Sequence, residues 1–171
     1  MSNLVNTKID KMRYQTNKLS FSLTLLSLVF YLTATFFAIT YDSFGQKFTG
    51  PQGDETNFRV ESDMMVGISI AVTIVLVLFI FLAAEKQKAY HKKWGWGTII
   101  LGFIIWGTFL VLPIRLYNNL GPINGKPQLT TQILITILVC TVLAGICLIV
   151  SGIVCAKKST ALYKHLREID I

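Results

Sequence analysis

The stretch EKQKAYHKKWGW, residues 85–96, decides the fold. It carries Lys86, Lys88, Lys92 and Lys93 against Glu85 alone, and an apolar run of roughly twenty residues flanks it on each side; such a run, rising about 1.5 Å per residue, crosses a ~30 Å hydrocarbon core. A short lysine-rich connection between two membrane-length runs stays on the cytoplasmic face, because translocating it is disfavoured. The expected orientation of every other segment follows.

Of the 171 residues, 53% are apolar and only 15% are charged, with a formal net charge of +7. That is too little charge for a soluble domain of this size. In a soluble protein the positive balance would suggest nucleic acid, but here its placement explains it. Lys8, Lys11, Arg13 and Lys18, the four lysines of the hinge, and Lys157, Lys158, Lys164 and Arg167 share one side of a four-span topology. Lys47, Arg59, Arg115 and Lys126 fall on the other. This asymmetry is the positive-inside pattern and requires no nucleic-acid partner. The partner expected for the basic side is anionic lipid, with Lys86, Lys88, Lys92, Lys93, Lys157 and Lys158 as candidate contacts to headgroups or to a protein partner.

The pattern predicts an all-α polytopic membrane protein in a multi-pass cell-membrane topology, both termini cytoplasmic. Residues 1–171 form a single transmembrane domain with spans at about 19–40, 64–84, 97–116 and 129–156. Val5, Ile9 and Met12 share one helical face, as do Leu162, Leu166 and Ile169, which predicts a short interfacial helix at each terminus. The first apolar run is too long for a signal-peptide core and lacks a small-residue cleavage site after it, so it reads as a retained anchor. Residues 41–62 read as the one sizeable soluble stretch, with Gly45, Gly50, Pro51 and Gly53 as turn formers and Asp63 as N-cap of the second span. Asp54 and Glu55 alone are too few for a calcium loop. Residues 71–84 are apolar on every face apart from Thr73, so the second span is expected to meet lipid over much of its surface. Pro113 is expected to loosen the outer end of the third span without breaking the crossing, and Arg115 to snorkel or pair with the acidic stretch.

In the fourth span, Cys147, Ser151 and Cys155 recur at every fourth position, with Ala144, Gly145 and Gly152 adjoining. Small residues let helix backbones approach closely where lipid removes any hydrophobic drive for association. This face is therefore expected to pack most tightly, inside the bundle or against a partner protein.

No catalytic, cofactor-binding or metal-binding residues are expected. Cys140, Cys147 and Cys155 lie on one helix, and those seven or eight positions apart are separated by roughly 10 Å, too far to bridge. They read as small packing residues. His91 and His165 fall in the basic surface segments, with no companions for a metal site. Residues 19–40, 64–84, 97–114 and 129–156 contain no Asp, Glu, Lys, Arg or His. Ion-coupled transporters place an ionisable group within the membrane, so a monomeric active transporter is not expected. Thr33, Thr35, Thr73, Thr108, Thr136 and Thr141 can bond their own helix carbonyls or a neighbour, and would line a pore only in a larger assembly.

KMRYQTNKLSF (residues 11–21), LPIRLYN (residues 112–118) and KKSTALYKHL (residues 157–166) together resemble a family of four-span proteins from low-GC Gram-positive bacteria and mollicutes. Members of that family accompany sugar-type ABC importers. The resemblance implies an accessory subunit, since the long coupling loop with an EAA-type motif that marks an importer permease is missing. The function expected is that of a non-catalytic accessory or scaffold subunit of a membrane complex. The alternative is a small homo-oligomeric channel or transporter.

Overall fold

The computed structural model describes residues 16–49, 55–120 and 127–169. Its elements are α1 (Lys18–Thr49), α2 (Glu55–Lys88), α3 (Lys92–Phe109), α4 (Leu112–Leu120) and α5 (Pro127–Ile169), with no strand among the described residues. Four segments are long and apolar enough to cross a membrane: Lys18–Tyr41, Gly67–Lys88, Lys92–Asn118 and Gln128–Glu168. The fold is that of an all-α, multi-pass integral membrane protein. Helices are the economical solution in hydrocarbon, because each satisfies its backbone groups within its own segment.

Along α1 polar side chains line the buried side and large apolar ones the outer side. Leu19, Leu26, Val29, Leu32 and Phe36 of α1 are exposed, whereas Asn17, Ser20, Thr24, Ser27, Tyr31 and Thr35 are buried. The buried set recurs at three- and four-residue steps, the spacing of a helix seam, and it faces the matching seam Ile137, Thr141, Ala144, Leu148, Ser151 and Cys155 of α5. The two helices run antiparallel: Ser20 meets Ser151 near one end, and Ala38 and Tyr41 cluster with Ile137 near the other. Between these ends, Tyr31, Ile80, Leu101, Ile105, Ala144 and Leu148 form an apolar centre drawn from all four spans.

Glycines set the approach of α3 to α5. A Cβ on Gly152 would lie 2.5 Å from the Gly95 carbonyl oxygen, and one on Gly95 would lie 3.0 Å from the Gly152 oxygen. Seven residues along, a Cβ on Gly102 would lie 3.2 Å from the Gly145 oxygen, and one on Gly145 would run into the Trp106 indole. Two glycine pairs thus let the backbones meet directly, and the Trp106 Nε1–H donates to the Val142 carbonyl at 3.3 Å. α2 packs chiefly along α1, and its outward residues Val72, Val75, Leu78 and Phe81 are exposed, as its uniformly apolar sequence predicts for a lipid-facing helix.

Several local expectations change. Residues 41–49 continue α1 and residues 55–66 belong to α2, so the described parts of the soluble stretch are helical and Asp63 is interior to a helix rather than its N-cap; Gly50, Pro51 and Gly53 lie outside the described residues. Gly45 lies within α1, where a lone glycine costs only about 1 kcal/mol. Pro113 has a larger effect than loosening a turn: the helix ends at Phe109 and restarts at Leu112. Proline has no N–H to give the Phe109 carbonyl and its ring crowds that position. The C-terminal tail is no separate interfacial helix. It extends α5 without interruption to Ile169, about 64 Å for 43 residues. The predicted N-terminal helix lies outside the described residues, as do residues 121–126 between the third and fourth spans.

Replacing Gly152 with Leu forces α3 and α5 apart and is expected to cost at least about 3 kcal/mol. Phe81→Leu, on the exposed face of α2, should stay within about 0.5 kcal/mol of the parent. Reversible unfolding in mixed micelles measures both; equal losses would refute the glycine contact.

Candidate functional site: a polar clasp beneath the basic hinge

The hinge is shorter and more ordered than a twelve-residue loop. α2 runs to Lys88 and α3 begins at Lys92, leaving three residues between them. Tyr90 adopts φ 58°, the left-handed conformation that ends many helices. Its N–H donates to the Gln87 carbonyl at 3.0 Å and the His91 N–H to the Lys86 carbonyl at 3.3 Å, which closes α2 in a Schellman motif. Glycine usually fills this position, but here the Tyr90 ring is buried, which offsets the backbone cost. That burial pushes the Tyr90 phenol above its ordinary pKa, with Cys155 adding to the effect. α5 supplies donors to the hinge carbonyls: the Ser159 hydroxyl donates to the Tyr90 oxygen at 2.7 Å, and the Cys155 thiol lies 3.8 Å from the His91 oxygen.

Directly beneath the hinge lies Gln87, which is fully buried. Its carboxamide oxygen accepts from Ser20 at 2.6 Å, Thr24 at 2.9 Å and Ser151 at 2.6 Å. Its Nε2 donates to the Thr98 hydroxyl at 2.6 Å. One side chain of α2 is therefore bonded to α1, α3 and α5 together. Three hydroxyls compete for an oxygen with two lone pairs, yet each has a carbonyl in reserve: Ser20 can donate to Ser151 O, Thr24 to Ser20 O and Ser151 to Ser20 O, all at 2.9 Å. Thr98 similarly donates to the Gly95 oxygen at 2.9 Å. With oxygen–oxygen separations of hydrogen-bond length throughout, the cluster is a fastening of mutually bonded side chains.

Around this clasp the structure gathers one end of every span. The Asn17 N–H donates to the Lys88 carbonyl at 3.1 Å, and Lys158 Nζ donates to Asn17 Oδ1 at 3.2 Å. The head of α1, the hinge and the α5 tail therefore share one end, and the cations of those segments form its rim. Lys86, Lys92, Lys93 and Lys157 are exposed, while Lys88 and Lys158 are half-buried. Lys88 pairs with Glu85 at 3.9 Å and covers the Phe21 ring at 5.1 Å. His91 is exposed; His165, expected to be solvated, is buried and engaged.

Of the small-residue face on the fourth span, Ala144, Ser151 and Cys155 are fully buried, Gly145 and Gly152 abut α3, and Cys147 is half-buried. The occupants of this face are the chain's own α1 and α3. The clasp itself was not anticipated, because Gln87 sits between two lysines and reads as part of a hydrophilic hinge. Its phase with Ile80, Ala83 and Ala84, and the polar stripe along α1, were the available signals.

Because every hydroxyl keeps a carbonyl acceptor, Gln87→Leu leaves none of those donors stranded and removes only the bonds to α2. Interhelical bonds in membrane bundles average about 0.6 kcal/mol, so a loss of about 2 kcal/mol is expected, against less than about 1 kcal/mol for Ser20→Ala. A double-mutant cycle between Gln87→Leu and Ser151→Ala, read by unfolding in micelles, should give a coupling above about 0.5 kcal/mol; additivity would show that the two side chains do not interact. Set against known proteins, no protein-family model, no curated protein and no solved structure matches this chain.

Proposed function

We propose that this chain is a non-catalytic accessory or scaffold subunit of a larger membrane complex, such as a sugar-type ABC importer, with both termini and the hinge facing the cytosol. The observation that carries the reading is the character of the interior. The polar groups that pair at the clasp are neutral amides and hydroxyls, used up in joining helices. A fastening of this kind supports a rigid presenting role, in which the bundle holds a basic rim of Lys86, Lys88, Lys92, Lys93, Lys157 and Lys158 at one membrane surface. Anionic headgroups or an acidic partner surface are the complementary chemistry. The partner meets the rim or the lipid-facing side of α2, since the small-residue face of α5 is already occupied.

The threonines on which a channel reading depends favour this conclusion. Thr33, Thr73, Thr108 and Thr136 each donate to the carbonyl four residues earlier, at 2.9, 2.7, 2.8 and 2.8 Å. Their donors are spent within their own helices, whereas the buried Thr141 hydroxyl has no partner among the described residues.

Purification in a mild detergent followed by native mass measurement is expected to give a hetero-complex whose stability falls with ionic strength. A homo-oligomer of this chain that conducts ions in planar bilayers would overturn the proposal. In intact cells, Lys92 and Lys164 should resist an amine reagent that cannot cross lipid; modification from outside would reverse the topology.

A further inference from the structure

We propose that Asn17 and Lys158 bind a phosphate group at the head of α1. The inference deepens the reading of the basic rim as a lipid-facing surface, and it rests on that reading for the source of the phosphate. Asn17 is 1% exposed, yet its Nδ2 hydrogens have no acceptor among the described residues. The rest of the residue is engaged: the backbone N–H bonds the Lys88 carbonyl, and Oδ1 accepts from Lys158 Nζ. Rotating the amide by half a turn offers no remedy, since the NH2 would then face an ammonium and the oxygen would lose its donor. Buried donors are almost always satisfied in folded proteins, so an acceptor belongs beside Nδ2.

The surroundings define what that acceptor is. Nδ2 and Oδ1 share one carbon, so the Lys158 ammonium, which spends a single hydrogen on Oδ1, is an immediate neighbour with hydrogens to spare. Lys18 and Lys157 adjoin the pair in sequence, and Glu85, the acid of the adjacent helix end, is engaged with Lys88. The site lies where α1 begins, so the positive end of the helix dipole points the same way. An orphaned donor, an ammonium and a helix N-terminus together call for an anion with several acceptor oxygens. Phosphate meets that requirement, and at this level of the bundle a phospholipid headgroup presents it.

The test uses the full chain in detergent micelles, with native mass spectrometry to count retained phosphatidylglycerol and thermal unfolding to report stability. Wild type is expected to retain phosphatidylglycerol roughly five- to tenfold better than Lys158→Gln or Asn17→Leu, with the exposed-rim control Lys93→Gln matching wild type. Without lipid, Asn17→Leu should unfold at the wild-type temperature or higher, because it removes an unbonded donor; with phosphatidylglycerol present, wild type should become the more stable. Inorganic phosphate that displaces the lipid and stabilises wild type equally would identify free phosphate as the ligand, at the same residues. Unfolding of Asn17→Leu below wild type under every condition would show the amide to be structural and overturn the proposal, as would equal losses in Lys93→Gln and Lys158→Gln. Equal, selective retention by wild type and Asn17→Leu would remove this site while leaving the lipid reading of the rim; no selectivity in any variant would remove both.

Discussion

The carboxamide of Gln87 is the point on which the bundle depends. In hydrocarbon, moving an apolar side chain from lipid to a protein interior gains almost nothing, so helices associate through close packing and through polar groups that must be satisfied. Gln87 supplies both a strong acceptor and a donor at a point where all four spans meet. Its oxygen ties α1 and α5 to α2, and its nitrogen ties α3 to the same group. A side chain of one polarity alone could not serve both sides. Glutamate would have to give up two acceptor oxygens' worth of solvation, and leucine would offer neither function.

The clasp and the glycine seam are one design. Thr98 reaches Gln87 only because α3 lies close against α5, and a Cβ on Gly152 would stand 2.7 Å from the Thr98 hydroxyl oxygen. The residue that lets two backbones approach therefore also leaves room for the hydroxyl that completes the network. The same economy appears at the hinge, where Ser159 satisfies a carbonyl left open by the end of α2. Helix ends buried without such partners are rare, and α5 extends past the membrane-length core to supply this one.

Four spans and an all-α fold were legible because length and hydropathy respond to the bilayer thickness, which is a global constraint. The identity of the clasp was not, because charge counting assigns a glutamine flanked by Lys86 and Lys88 to the water phase. Helical phase says otherwise: Ile80, Ala83, Ala84 and Gln87 share the buried side of α2, and the lysines fall to either side. The seam along α1 was similarly hidden, since Ser20, Thr24 and Ser27 look like unremarkable interruptions of an apolar run until their three- and four-residue spacing is noticed. The small residues of α5 were readable as a packing face, but their partner was not; two glycines seven residues apart on α3, Gly95 and Gly102, matched to Gly152 and Gly145, carry that information. Gly45 suggested a turn, whereas a lone glycine costs only about 1 kcal/mol within a helix and α1 runs through it.

The two ends of the molecule are held by different physics. At the basic end, directional hydrogen bonds tie α1, α2, α3 and α5, and among the described residues of α2 the fully buried ones lie in its final turns. Farther from the hinge more of the inward side chains are apolar. Among the described residues Thr141 buries a hydroxyl that has no acceptor, and Ala38, Tyr41, Leu116 and Ile137 pack together at the far end. Packing contacts between apolar side chains exchange readily with lipid chains of the same polarity, whereas hydrogen bonds in a dry interior have no such substitute. The clasp therefore restrains the spans at the basic end, while at the other end the break before Pro113 separates α4 from α3. The end held by the clasp is also the charged end, so the lysine rim is presented on the part of the bundle that hydrogen bonds join.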